Sequence, residues 1–144
     1  MFNFKIKLVN FLNRILRKND NKKKFMLGSI YLNEARKRYD KFKNLNEAEY
    51  KVFSQTGEDG ILDLILNKLQ ISNTKFVEIG VGDYSEANTR FIYENSFSEG
   101  LIIDVIDNFK KKVSDNIDLW KGLINVENVN IDLENINPIL KRYN

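Results

Sequence analysis

Lys75-Phe76-Val77-Glu78-Ile79-Gly80-Val81-Gly82-Asp83-Tyr84-Ser85, followed by Gly100-Leu101-Ile102-Ile103-Asp104, decides how this chain is read. Phe76, Val77 and Ile79 make a short apolar run that breaks on Gly80 and Gly82, the pattern of a buried parallel strand that turns sharply. Glycine at both positions frees the backbone to take dihedrals that other residues avoid, and it lets a ligand approach without meeting a side chain. The helix expected after the turn adds unpaired N–H groups. Leu101-Ile102-Ile103 reads as the next buried strand and sets Asp104 at its C-terminal end, about 20 residues beyond the turn, where a carboxylate suits ribose hydroxyls. A nucleotide-like ligand is the expected occupant.

The glycine pattern also separates cofactor classes. A dinucleotide fingerprint wants a third glycine where Ser85 stands, and here an acid, Glu78, sits inside the strand two positions before the first glycine. The run from Val77 to Gly82 resembles the first motif of the class I S-adenosylmethionine (SAM) dependent methyltransferases, which reads apolar, Asp/Glu, x, Gly, x, Gly. Ser54-Gln55-Thr56-Gly57-Glu58-Asp59-Gly60 and Glu86-Ala87-Asn88-Thr89-Arg90 resemble the flanking motifs of the FkbM-like family, so the likeness runs from about Phe53 to Tyr143. It implies SAM as cofactor, with Glu78 directed to the amino group of the methionine moiety and Asp104 to the ribose. Gly80, Gly82 and Asp83 would form the turn beneath the cofactor, and one of Gln55, Glu58 and Asp59 would line its pocket. Asn88 and Arg90 would lie nearby, Arg90 toward the methionine carboxylate. The acceptor implied is a hydroxyl on a sugar, a polysaccharide precursor or a polyketide-like product, because the family consists of O-methyltransferases often associated with surface-polysaccharide genes.

Each residue also has a structural reading. The glycines serve a tight turn, Glu78 binds nearby N–H groups and Asp104 caps the turn after its strand. Gln55, Glu58 and Asp59 cap the next helix, and Arg90 makes a surface salt bridge.

Composition narrows the chemistry. With 144 residues and 42% hydrophobic content the chain is long enough for one modest domain with a core. It has no cysteine and no histidine, which excludes disulfides, thiolate metal sites and the commonest general base, so no metal site is expected. Catalysis would have to use carboxylates, lysine, tyrosine or backbone, and the residues single out no catalytic base.

The net charge of +3 hides an asymmetry: residues 1–50 hold 13 Lys/Arg against 5 Asp/Glu, and residues 51–144 hold 10 against 15. The expected organisation is a basic helical extension over residues 1–50 and the N-terminal half of a SAM-binding domain over residues 51–144. In the extension Phe4, Leu8, Phe11, Leu12 and Ile15 recur at helical spacing, with Lys7, Arg14, Arg17 and Lys18 on other faces. That stripe suits packing on the main domain or a homo-oligomer contact first, and peripheral attachment to an anionic membrane second. Nucleic acid comes last, for lack of aromatic stacking residues among the basic clusters. Lys5 and Lys7 interrupt any run that would serve as a signal peptide or membrane span, so a cytoplasmic location is the expectation, with the membrane periphery as the alternative. From Leu32 to Tyr50 charges of alternating sign suggest an exposed helix or linker.

After Thr56, which with Asp59 suggests a capping arrangement, Ile61, Leu62, Ile65, Leu66 and Leu69 predict a helix covering one face of a sheet. The helix beyond the glycine turn is expected to start near Ser85. Another is expected from an Asp107 cap, with Phe109, Val113, Ile117 and Trp120 inward; Leu123 to Ile131 follows as a third strand. Asn137-Pro138 predicts the cap and first residue of a closing helix. The resulting fold class is α/β, a partial Rossmann-like three-layer sandwich with a parallel sheet behind a basic helical segment. Measured against the family it resembles, the chain reads as truncated after the third strand, and the expectation is that it is inactive alone. The competing expectation is a non-catalytic interaction module on a degenerate SAM-binding fold, acting through its basic amphipathic helix.

Overall fold

The computed structural model describes residues 2–96 and 98–143, with side chains from Lys5 onward, so the Phe4 side chain lies outside the described residues. The chain opens on one long helix, α1 (Phe2–Arg36), about 50 Å long at 1.5 Å per residue. Only its last third enters the core. Leu32 clusters with Val52, Phe53 and Phe91, and Ala35 with Tyr39, Ala48 and Leu64. Val52 packs closely over Gly28: a β-carbon there would lie 2.5 Å from the valine side chain. The stretch expected to be an exposed helix or linker therefore contributes buried residues. Short 3-10 turns at Tyr39–Lys41 and Leu45–Ala48 carry Tyr39 and Ala48 inward, a pattern with no regular period for a sequence reading to detect.

Helix α2 (Glu58–Lys68) also turns an unexpected face inward. Its buried residues are Asp59, Gly60, Asp63 and Leu64, while Ile65 and Leu69 are exposed, and it packs against α1 and the turn at Leu45–Ala48. Polar satisfaction outweighs the apolar stripe here. The Asp63 carboxylate accepts from Arg36 Nε and Nη2 at 3.1 and 2.6 Å and from the Tyr39 hydroxyl at 2.6 Å, which holds that side of α2 toward α1.

Three parallel strands, β1 (Lys75–Ile79), β2 (Glu99–Asp104) and β3 (Ile124–Asn128), form a sheet in the order β1-β2-β3. Ile102 faces one way, toward Tyr93 of α3 (Arg90–Ser96) and Phe109 and Val113 of α4 (Phe109–Asn116). Leu101 and Ile103 face the other way, onto Ile139 of α5 (Ile136–Arg142). Helices thus lie against both faces of an α/β fold. On the α5 side the neighbouring Val77 and Ile79 of β1 stay exposed.

Several boundaries differ from the sequence expectation. Helix α3 starts at Arg90 instead of Ser85, because the Glu78 carboxylate takes the N–H groups of Asn88 and Thr89 just before it. The residue at the head of α4 is Asn108, left-handed at φ +56 and without a side-chain cap bond, so Asp107 is not the cap. Trp120 is 82% exposed, since α4 ends at Asn116 and the helical period does not reach it. The third strand is shorter than expected, Ile124–Asn128, although Val129 and Ile131 beyond it still pack against α5. Helix α5 begins at Ile136, with Asn135 before it. Pro138 lies in the first turn, where N–H groups have no intrahelical partner and a missing one costs little.

Candidate functional site

The site is built where β1 and β2 end. After Ile79 the backbone takes φ +78 at Gly80 and +58 at Gly82, both in the left-handed region that favours glycine. A β-carbon added at either glycine meets nothing within 4 Å, so the ground above the turn is open. Gly80 N–H continues the ladder to the Ile103 carbonyl at 2.8 Å. Gly82 N–H donates to Asp104 Oδ2 at 2.7 Å, joining the two halves of the motif across 22 positions. Asp104 Oδ1 meanwhile accepts from the N–H groups of Val105 and Ile106 at 2.7 and 3.1 Å.

Glu78 reaches forward from β1 on the face it shares with Ile102. Oε1 accepts from Asn88 N–H at 3.0 Å, and Oε2 accepts from Thr89 N–H at 3.0 Å and its hydroxyl at 2.5 Å. The loop between the glycines and α3 is thereby held by an acid on the strand beneath it. Tyr84, fully buried at φ +62, adds a contact between its hydroxyl and Thr89 Oγ1 at 2.9 Å. Asp83 closes a short turn on Ser85 N–H at 3.0 Å, and its carbonyl accepts from Asn116 Nδ2 at 2.8 Å. Burial works to raise the Asp83 carboxyl, but hydrogen bonds from Ser85 and Asn116 and the charge of Arg17 outweigh it and hold it below the usual range. Arg17 Nη1 lies 3.8 Å from Asp83 Oδ2, so α1 touches the turn.

Of the residues marked from the sequence, Gly80, Gly82, Asp83 and Asp104 come together around the turn, and Glu78 and Asn88 meet beside it. Asn88 takes part through its backbone, with its side chain exposed. Gln55 stands apart: it is exposed, and its carbonyl accepts from Lys51 Nζ at 2.8 Å. The flanking motif around it is structural. Asp59 Oδ2 gathers the N–H groups of Val52, Phe53 and Ser54 at 2.7–2.8 Å and the Ser54 hydroxyl at 2.9 Å. The expected Thr56–Asp59 cap does not form: Gly57 stands at the N-cap of α2 without a side-chain cap bond, and Thr56 Oγ1 donates instead to Glu58 Oε1 at 2.6 Å.

Arg90 is neither a surface ion pair nor free to meet a ligand carboxylate. It is fully buried, with Nε on Glu94 Oε1 at 2.8 Å. Nη1 donates to the carbonyls of Tyr84 and Ser85 at 3.2 and 2.8 Å, and Nη2 to that of Asn116 at 3.1 Å. Sequence reasoning missed Thr89, although the quoted flanking motif contains it, and Asn116, for which the sequence carries no signal.

The carboxylates decide which ligand this turn suits. A carboxylate offers about four lone-pair positions. Asp104 and Glu78 each use three of theirs on the protein, leaving one acceptor position apiece. Gly82 N–H and the N–H groups ahead of α3, the donors a pyrophosphate would use, are already taken by these same acids. The turn is therefore acidic and open, and it fits a cationic or hydroxyl-bearing ligand better than a phosphate. Against protein-family models, curated proteins and solved structures, the chain gives no match.

Proposed function

We propose that this chain binds SAM at the Gly80–Asp104 turn and is a class I methyltransferase of the FkbM-like kind, acting on a sugar or polysaccharide-related hydroxyl. The observation that carries the reading is the Gly82–Asp104 hydrogen bond, which spends the turn's N–H on a carboxylate and makes the site a cation and hydroxyl acceptor. SAM has no phosphate, a positive sulfonium and amino group, and two ribose hydroxyls, so its chemistry matches that donor set. The strand order, with β2 between β1 and β3, supports a Rossmann-like arrangement, whose first half runs 3-2-1.

In this reading Glu78 offers its remaining Oε1 position to the amino group, and Asp104 its remaining Oδ2 position to one ribose hydroxyl. Gly80 and Gly82 give the methionine moiety room to approach the backbone. The bound cofactor supplies a methyl group activated on sulfur for in-line displacement. The protein's own part is to align acceptor and donor and to exclude water.

Isothermal titration of the full chain with S-adenosylhomocysteine tests this. Micromolar binding is expected, falling about tenfold or more in Asp104→Ala, since a hydrogen bond to a charged group contributes about 1.5–3 kcal/mol. NAD serves as the phosphate-bearing control and is expected to give no heat. Absence of binding by protein with an intact circular dichroism melt, or tighter binding of NAD, overturns the reading.

A further inference from the structure

Helix α1 uses its two sides for different purposes. Along one side Arg14 Nε meets Asp115 at 3.1 Å, Lys18 Nζ meets Asp118 at 3.1 Å and Asn21 Nδ2 donates to the Asn116 carbonyl at 3.4 Å. These residues continue into Phe25, Gly28 and Leu32, so this is the side that faces the α/β body. The apolar stripe read from the sequence lies elsewhere on the helix. Leu8, Leu12 and Ile15 are 46%, 49% and 42% exposed, and Met26 and Ile30 return to their side about three turns on, also exposed. The stripe does not pack on the main domain. It points away from it.

We infer that this outward side of α1 lies on an anionic phospholipid surface. A helix with a charged face, a strong apolar face and low overall hydropathy lies in the plane of a bilayer interface, and no helix among the described residues is long and apolar enough to cross one. Charge selects the occupant. Between Lys5 and Lys24 the helix carries eight Lys/Arg and one Asp, and the body answers three of them, Arg14, Arg17 and Lys18, with Asp115, Asp83 and Asp118. Lys5 stands at the start of the stripe, while Lys7, seven residues before Arg14, falls on the body-facing side; Lys22, Lys23 and Lys24 lie between the stripe's two apolar segments. A second copy laid along the stripe in either direction would bring lysines against lysines. Anionic headgroups would meet those lysines with opposite charge, and the lysine stems reach up past the acyl boundary while the apolar residues sink below it. Because the body docks on the other side, it stays in water.

Flotation of the full chain with vesicles tests the inference, comparing pure phosphatidylcholine with phosphatidylcholine mixed with phosphatidylglycerol. The expected result is flotation with the mixed vesicles alone, reversed by high salt. The doubly substituted Leu12→Glu, Ile15→Glu protein should lose about a hundredfold or more in partitioning with an unchanged melt, since both side chains are exposed in the free protein. Reversing Lys22, Lys23 and Lys24 to Glu should abolish flotation without touching the stripe. Three outcomes overturn the inference: equal flotation on both vesicle types, a dimer in sedimentation that Leu12→Glu, Ile15→Glu converts to monomer, or retention of an oligonucleotide without lipid binding.

Discussion

The guanidinium carbon of Arg90 lies 3.9 Å from the centroid of the Phe53 ring, in the interior of the protein. The arginine joins the loop after the glycine turn, the end of α4 and the segment before α2 through one side chain, and each of its nitrogens has a partner. Removing one member of a buried charged network costs about 3–5 kcal/mol. Arg90→Ala should lower the urea midpoint by an amount in that range at constant m-value. Arg90→Lys should be nearly as damaging, because an ammonium cannot reach three carbonyls and a carboxylate from one stem. A midpoint unchanged in both would remove Arg90 from the fold's supports.

Asp59 offers a graded test. Asp59→Ala strands three buried N–H groups, and at about 1–3 kcal/mol for each unsatisfied donor the loss should exceed about 3 kcal/mol. Asp59→Asn keeps an oxygen for those donors and places its NH2 where Oδ1 now has no protein partner, so it should be the milder change. Thermal melts of the two variants that ranked them in reverse would contradict this account of the motif.

Two glycines should fail for different reasons. Gly82→Ala meets no neighbour and bears only the cost of a left-handed backbone, about 1–2 kcal/mol. Gly60→Ala sets its β-carbon 1.8 Å from the Ala48 carbonyl oxygen, and relief requires α2 to move. It should cost more than about 3 kcal/mol, beyond the usual range for overpacking. Denaturation midpoints of the pair give the comparison.

Acid should weaken the start of α2. The Thr56 hydroxyl, with backbone N–H groups behind it, pulls the Glu58 carboxyl down to about 2. Since the folded value lies below the unfolded one of about 4.3, the contribution is present above about pH 4.3 and is lost as pH falls toward 2. Melting temperature should fall through that window in the native protein and fall less in Glu58→Gln. Parallel curves would mean that other acids carry the effect.

The parallel sheet was legible from its apolar runs, and Leu101 to Ile103 is buried as such a run implies; Phe76 to Ile79 forms its strand too, but with Val77 and Ile79 exposed, because β1 lies at the edge of the sheet with nothing over its α5 side. The glycine turn and its acid were legible too, since Gly80 and Gly82 stand where positive φ is needed. What escaped was tertiary. Nothing local in Asp63 reveals that Arg36 and Tyr39 will turn it inward against the apolar stripe of α2, and nothing in Arg90 tells a buried lock from a surface ion pair. The stripe on α1 was visible as a pattern, but its direction depends on which side meets Asp115 and Asp118, a contact spanning about a hundred positions.

The Arg17–Asp83 pair gives the long helix a lever on the glycine turn, and its size can be bounded. An exposed ion pair is worth up to about 1 kcal/mol, so losing it, as in Arg17→Ala, would change any equilibrium at the turn by no more than about fivefold. Cutting that one contact would therefore tune the glycine turn in the manner of a trimmer and would not act as an all-or-none gate.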